Sequence, residues 1–227
     1  MIFKVNELED TYKHKGLRKQ LTLGIKSKGI KNEKVLNAIQ KIPRHFFFEP
    51  IFDQHAYEDK AFPIGSGQTI SQPFTVAFQS ELLQVKSGDK ILEIGTGSGY
   101  QASVLIELGA DVYTIEYQKD LYQKAIRFLP KLGYQPHMYH GDGSKGLPRF
   151  APYDGIIVTA GAPTVPEELI QQLKVGGRLV IPVGNNEKQS MVLIEKIDEN
   201  KIKKKQFDHF SFVPLRGDRG WQETKNN

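Results

Sequence analysis

The chain has 227 residues, a formal charge of +5 from 31 basic and 26 acidic side chains, 39% apolar content and no cysteine. That size supports one core and leaves no room for a second enzyme domain, and the lack of cysteine removes disulfides, thiolate nucleophiles and cysteine-held zinc. No apolar run reaches the roughly 18 residues of a bilayer span, and Met1 to Glu7 lacks the apolar stretch of a secretory signal, so a soluble, cytoplasmic protein without membrane contact is expected.

In chain order, Leu17, Leu21 and Ile25 recur at helical spacing, and Val35, Leu36, Ala38, Ile39 and Ile42 do so again. Asn32 can cap the second helix and Pro43 stops it. A further helix starts at Pro73, with Ala77, Phe78 and Leu82 at helical spacing, and ends near Ser87-Gly88-Asp89. From Lys90 the rhythm alternates. Strands are expected at Lys90 to Ile94, Asp111 to Glu116, Pro136 to Tyr139, Gly155 to Thr159 and Arg178 to Val183, with helices over about 99–108, 118–131 and 165–173. This pattern predicts an α/β, doubly wound, mostly parallel sheet with its ligand beyond the carboxyl ends of the strands.

After Val183, Met191 to Ile197 and Lys201 to Val213 read as a C-terminal antiparallel hairpin, and the tail beyond Arg216 is polar. Lys201, Lys203, Lys204 and Lys205 on its outer strand would guard an exposed edge against pairing. With no aromatic and basic stripe, these lysines read as a solvated face, and no nucleic-acid partner is expected. The whole is expected to form one domain: an N-terminal helical region over 1–72, the alternating core over 73–184, and the hairpin with its tail over 185–227.

The first core strand runs through Glu93 into Gly95-Thr96-Gly97-Ser98-Gly99 and then into a helix, as a cofactor turn does, because glycines let the backbone come close to a ligand. The spacing G-x-G-x-G departs from the G-x-G-x-x-G of dinucleotide sites, where a diphosphate meets the helix start. Glu116, ending the next strand about 20 residues on, can accept from both ribose hydroxyls. Asp142, after the third strand, can accept from an adenine amine. Three acidic positions suit a cationic, phosphate-free nucleoside, S-adenosyl-L-methionine, on a Rossmann-like class I methyltransferase fold. Plainer readings stay open: Glu93 as an acceptor for loop amides, Glu116 as a solvated strand end, Asp142 as an Asp-Gly turn.

Other segments resemble one family, the protein-L-isoaspartate O-methyltransferases, from about Asn32 to Leu215. The densest is Ala61-Phe62-Pro63-Ile64-Gly65-Ser66-Gly67-Gln68-Thr69-Ile70-Ser71-Gln72-Pro73, supported by Ile42-Pro43-Arg44-His45-Phe46, Gly141-Asp142-Gly143, Val158-Thr159-Ala160, Gly176 to Gly184 and Phe212-Val213-Pro214-Leu215. The resemblance implies methyl transfer to the free α-carboxylate of L-isoaspartyl residues in damaged proteins and peptides. That ester initiates repair through a succinimide and leaves S-adenosyl-L-homocysteine. It implies Ser71 as the active-site residue, Thr69 beside the substrate carboxylate, Val213, Pro214 and Leu215 near the peptide groove, and Gly143 and Thr159 in the cofactor set. Residues 1–30 carry none of these segments.

An isoaspartyl α-carboxyl, with a pKa of about 3.5, is already ionised at neutral pH, so no general base is needed and catalysis is positioning. Neutral hydroxyls on Thr69 and Ser71 can orient the carboxylate without quenching it as a tight arginine pair would. Ser71 can also be read as a cap for the helix at Pro73. His137 and His140 lie on opposite faces of their strand, His45 reads as packing, and no metal site is expected. A monomer is expected. Two other functions stay open: a tRNA methyltransferase on the same fold, and a non-catalytic cofactor-binding paralogue.

Overall fold

The computed structural model describes residues 8–185 and 187–221; Met1 to Glu7 and the end of the polar tail, 222–227, lie outside the described residues. Helix α1 (Tyr12–Ser27) buries Leu21 and Ile25, and α2 (Glu33–Lys41) buries Val35, Leu36, Ala38 and Ile39. The Oδ1 of Asn32 accepts from the amides of Lys34 and Val35 at 3.0 and 3.4 Å, a cap worth about 1 kcal/mol. Ile42, before Pro43, is extended at φ −81 and ψ 122, as the proline ring requires.

Two short 3-10 turns follow, Arg44–Phe47 and Pro50–His55, and then an antiparallel pair, β1 (Phe62–Gly65) and β2 (Gln68–Ile70). This hairpin adds to the elements expected from sequence. Its turn residues Ser66 and Gly67 have φ 52 and 65, the double positive φ that matches the twist of a two-residue hairpin. Helix α3 (Pro73–Leu83) begins at the expected proline but ends before Ser87, because Gln84 turns left-handed at φ 54.

The core continues as β3 (Lys90–Ile94), α4 (Tyr100–Glu107), β4 (Asp111–Glu116), α5 (Lys119–Phe128), β5 (His137–His140), β6 (Tyr153–Val158), α6 (Glu167–Gln171), β7 (Leu173–Gly184), β8 (Gln189–Lys196) and β9 (Ile202–Phe210). The larger sheet has the order β5-β4-β3-β6-β7-β8-β9, parallel from β5 to β7 and antiparallel beyond. The strand order reverses between β3 and β6, where a crevice opens at the carboxyl ends. Strand β7 starts five residues before Arg178 and shortens the preceding helix. Leu173 is drawn into register opposite Tyr153, and the Gln172 side chain, held by the Leu147 amide and the Lys145 carbonyl at 2.8 Å each, fixes the turn. Exposed Lys203, Lys204 and Lys205 lie on β9, the outer strand of the sheet.

Ile25, Ile39, Ile42, Tyr100 and Leu129 share one apolar cluster, so the N-terminal helices pack directly on the core. A polar pin reinforces the contact: Arg18 grips both oxygens of Asp10 at 3.0 and 2.9 Å, and the His14 ring stacks on His45 at 3.8 Å. Asp10, His14 and His45 bring ligand-type atoms within 4.8 Å of one another. Arg18 occupies that carboxylate and the Tyr57 hydroxyl lies 2.6 Å from His45 Nδ1, so the group ties α1 down. Burial holds the His45 pKa below its ordinary value, so the ring is neutral.

Candidate active site

Strand β3 delivers the chain into the glycine loop with Gly95 at φ 97, where a Cβ would come within 2.5 Å of Thr159 Oγ1. Only glycine fits there, and the contact it leaves room for is a bond: Thr159 Oγ1 donates to the Gly95 carbonyl at 2.6 Å. At Gly99, φ 85, a Cβ would meet Leu129 at 2.7 Å, so that residue faces the core below and not the cleft.

The amides of the three loop glycines are already engaged. Gly97 N–H donates to Glu116 Oε2 at 2.7 Å, Gly99 N–H to the Thr96 carbonyl at 2.7 Å, and Gly95 N–H to the Ile115 carbonyl at 2.9 Å. A diphosphate would need those donors free. The donor set therefore fits a nucleoside held by a carboxylate. Glu116 spends one lone pair on each of Gly97 and Gln118 and keeps others facing the cleft. The buried Oε1 of Gln101, a residue that also lines the cleft, has no hydrogen-bond partner among the described residues and can accept from a ligand amine.

The cleft encloses about 730 Å³, open solvent at its mouth included, within the range of small-molecule sites. Two groups of residues line it: Gly95, Thr96, Gly97, Ser98, Glu116, Gly143 and Thr159 from the ends of the parallel strands and the turns after them, and Thr69, Ser71, Val213, Pro214 and Leu215 from the segments before α3 and after β9. Three residues of the expected cofactor set stand back from it. Gly99 faces Leu129. Glu93 is fully buried behind the loop, accepting from Thr114 Oγ1 at 2.5 Å, and Thr114 in turn lies 2.6 Å from Thr96 Oγ1. Burial pushes its pKa up to about 8, so it is a neutral acid supporting Thr96 through a hydroxyl relay. Asp142 caps the turn after β5, accepting from the Ser144 amide and hydroxyl at 2.8 and 2.6 Å and from the Asp218 amide at 2.8 Å. Burial works to raise its pKa, but these bonds outweigh it and hold the carboxylate below its ordinary range.

Ser71 does not cap α3: Gln72 occupies the cap position, and the turn is held by Asp59, whose Oδ1 accepts the Phe74 amide at 2.8 Å. The Val213 to Leu215 segment is extended chain joined to Gly161 by an isolated parallel bridge at Pro214. Gly161 N–H donates to the Val213 carbonyl and Leu215 N–H to the Gly161 carbonyl, both at 2.8 Å, and Trp221 Nε1 adds a bond to the Gly161 carbonyl at 3.0 Å. Tyr117, Gln118, Gln101, Gln68 and Arg216 also line the cleft without having been expected. Tyr117 and Gln118 directly follow Glu116, and that adjacency was a usable signal; Gln101 and Arg216 carry none.

Residues 16–220 match the family described as Protein-L-isoaspartate(D-aspartate) O-methyltransferase. A protein-L-isoaspartate O-methyltransferase of Cytophaga hutchinsonii is 55% identical over 219 residues, 96% of this chain and 99% of the relative. One from Christiangramia forsetii is 59% identical over 213 residues, 93% and 100% of the two chains. Among solved structures, a protein-L-isoaspartate O-methyltransferase superposes with TM-score 0.78 at 31% identity, covering 89% of this chain and 67% of that one. A Plasmodium falciparum structure described as the same enzyme, in complex with S-adenosyl-L-homocysteine, gives TM-score 0.74 at 25% identity over 88% and 98%. By sequence, fold and the arrangement of the cleft, the chain belongs to the protein-L-isoaspartate O-methyltransferase family.

Proposed function

We propose that the chain transfers the methyl group of S-adenosyl-L-methionine to the free α-carboxylate of L-isoaspartyl residues in damaged proteins and peptides. The cofactor supplies an electrophilic methyl on a sulfonium. Glu116 holds the ribose hydroxyls, and Gly95 to Ser98 admit the nucleoside against the backbone. Thr69 and Ser71 hydroxyls orient the acceptor carboxylate, and Val213, Pro214 and Leu215 support the peptide. As the bond forms, carboxylate and sulfonium charges cancel, and the buried apolar residues Ile70, Val76 and Ile94 on the cleft wall favour that loss of charge.

The observation that carries this reading is that the cleft offers one carboxylate, Glu116, already bonded to the Gly97 and Gln118 amides, and no other described base. The described residues lining the cleft include Glu116 and Arg216 but no histidine, lysine or aspartate, so an acceptor already lacking its proton suits the site. The stretches 1–72, 73–184 and 185–227 act as one unit. The protein works as a cytoplasmic monomer without a nucleic-acid partner. No described helix is long and apolar enough to cross a membrane. The test offers labelled cofactor with an isoaspartyl peptide, its aspartyl twin and tRNA. A base-labile methyl ester on the isoaspartyl peptide alone is expected; label in tRNA, or cofactor binding with no ester, overturns the reading. Sedimentation of the purified protein tests the monomer.

A further inference from the structure

The block Ile42 to Phe46 has no task in the transfer described above, yet Arg44 heads the largest fully buried side chains in the molecule. Its Nε donates to the Ala56 carbonyl at 3.0 Å and its Nη2 to the Ser71 carbonyl at 2.9 Å, both neutral acceptors. The buried Nη1 has no well-formed hydrogen bond among the described residues; its polar neighbour is the Tyr100 hydroxyl, itself buried. No described carboxylate pairs with the guanidinium. Asp59, whose field reaches the guanidinium, is committed to Lys28 at 2.6 Å and to the Phe74 amide at 2.8 Å. The guanidinium carbon sits 4.6 Å from the Tyr100 ring centroid and 5.4 Å from that of Phe48. Ser71 and Tyr100 both line the cleft, so a buried cation lies directly behind the wall that meets the acceptor.

A charge taken out of water with no counter-ion is costly, and arginine stays protonated even so. The Tyr100 and Phe48 faces and the field of Asp59 offset part of that cost, but no described carboxylate bonds to the guanidinium, and an anion entering the cleft adds to the compensation. We propose that Arg44 is a positioning residue that fixes the Ser71 backbone and, by its partly compensated charge behind the wall, selects an ionised acceptor over a neutral one. The inference rests on the methyl-transfer reading above. Acting through Ser71 and Tyr100, the charge attracts the carboxylate without the direct pairing that would reduce its nucleophilicity.

The experiment compares the wild type with Arg44→Met, which keeps length and removes charge, and Arg44→Lys, which keeps charge. Calorimetry measures binding of an isoaspartyl peptide, of the same peptide with its α-carboxyl converted to carboxamide, and of the cofactor; kcat and KM for the acid peptide are read in parallel. In Arg44→Met the acid should bind about tenfold more weakly and its KM rise to match, the scale of one charge acting through a partly buried wall. Carboxamide and cofactor binding should change less than about twofold, and Arg44→Lys should recover most of the loss, as charge rather than shape carries the preference. An unchanged acid-to-amide ratio in Arg44→Met, or cofactor binding that falls in step, overturns the proposal. If the methionine variant does not fold, a folded Arg44→Lys that has lost the acid-to-amide ratio overturns it equally, and one that keeps the ratio supports it. A wild type that forms no ester on the isoaspartyl peptide takes down the functional reading and this inference together; an active wild type with an indifferent Arg44→Met takes down only the inference.

Discussion

The two walls of the cleft are satisfied in opposite ways. On the wall proposed for the cofactor, Gly95, Gly97, Thr96, Thr159 and Glu116 bond to one another and to the strand ends beneath them, so their geometry is set before a ligand arrives. On the acceptor wall the hydroxyls of Thr69 and Ser71 make no hydrogen bond within the described protein, and the backbone beneath is held from afar by Arg44, Asp59 and Gly161. A bound nucleoside needs preorganised acceptors at fixed positions. An acceptor peptide of variable sequence needs free hydroxyls on a wall fixed from behind, and the proposed division of labour follows that difference.

The sharpest way to break the comparison is Gly95→Ala, which places a methyl 2.5 Å from Thr159 Oγ1 on a left-handed backbone. Cofactor affinity should fall by about 100-fold or more in calorimetry, with about 2–3 kcal/mol lost in urea unfolding. Unchanged affinity would mean that the loop is not preorganised.

Next comes the support beneath that wall. Glu93 is protonated in the fold, its pKa pushed from an ordinary 4.5 up to about 8. Below pH 4.5 both states hold the proton; between 4.5 and 8 the unfolded chain releases it while the folded chain retains it, so stability declines across that window. Glu93→Gln keeps a neutral acceptor for Thr114 and should flatten the decline, gaining on the order of 5 kcal/mol over the wild type by pH 8. Urea unfolding at pH 5 and pH 8 measures it; parallel profiles for the two proteins would mean that Glu93 is ionised in the fold.

The smallest effect sharpens the other side. Ser71→Ala should lower kcat/KM for an isoaspartyl peptide about tenfold, the value of a hydrogen bond to a charged group, with cofactor Kd within about twofold. Equal loss of both would dissolve the distinction between the walls and make Ser71 a packing residue.

The glycine loop, Glu116 and the alternating strands were legible because each depends on local rules: glycine where the backbone bends left-handed, a carboxylate at a strand end, period-two and period-3.6 apolar spacing. Asn32 was legible for the same reason, since a cap is read from its own helix. The misplacements have a common cause. Glu93 and Asp142 each stand beside the site in sequence, yet which face of the strand or turn a carboxylate takes depends on what packs there: Thr114 for one, Ser144 and the returning segment at Asp218 for the other. The early start of β7 and the short α6 likewise follow from Gln172 being held by residues some 25 positions away.

By itself the sequence determined the alternating α/β order, the cofactor turn and the hydroxyl-rich acceptor segment, because periodicity and turn chemistry act within a few residues. Only the tertiary structure decided that Val213 to Leu215 closes the cleft against Gly161, that Glu93 stays neutral, and that Arg44 lies behind Ser71 without a counter-ion. Those outcomes depend on which distant groups exclude water from a site or share its hydrogen bonds, and no local pattern encodes that.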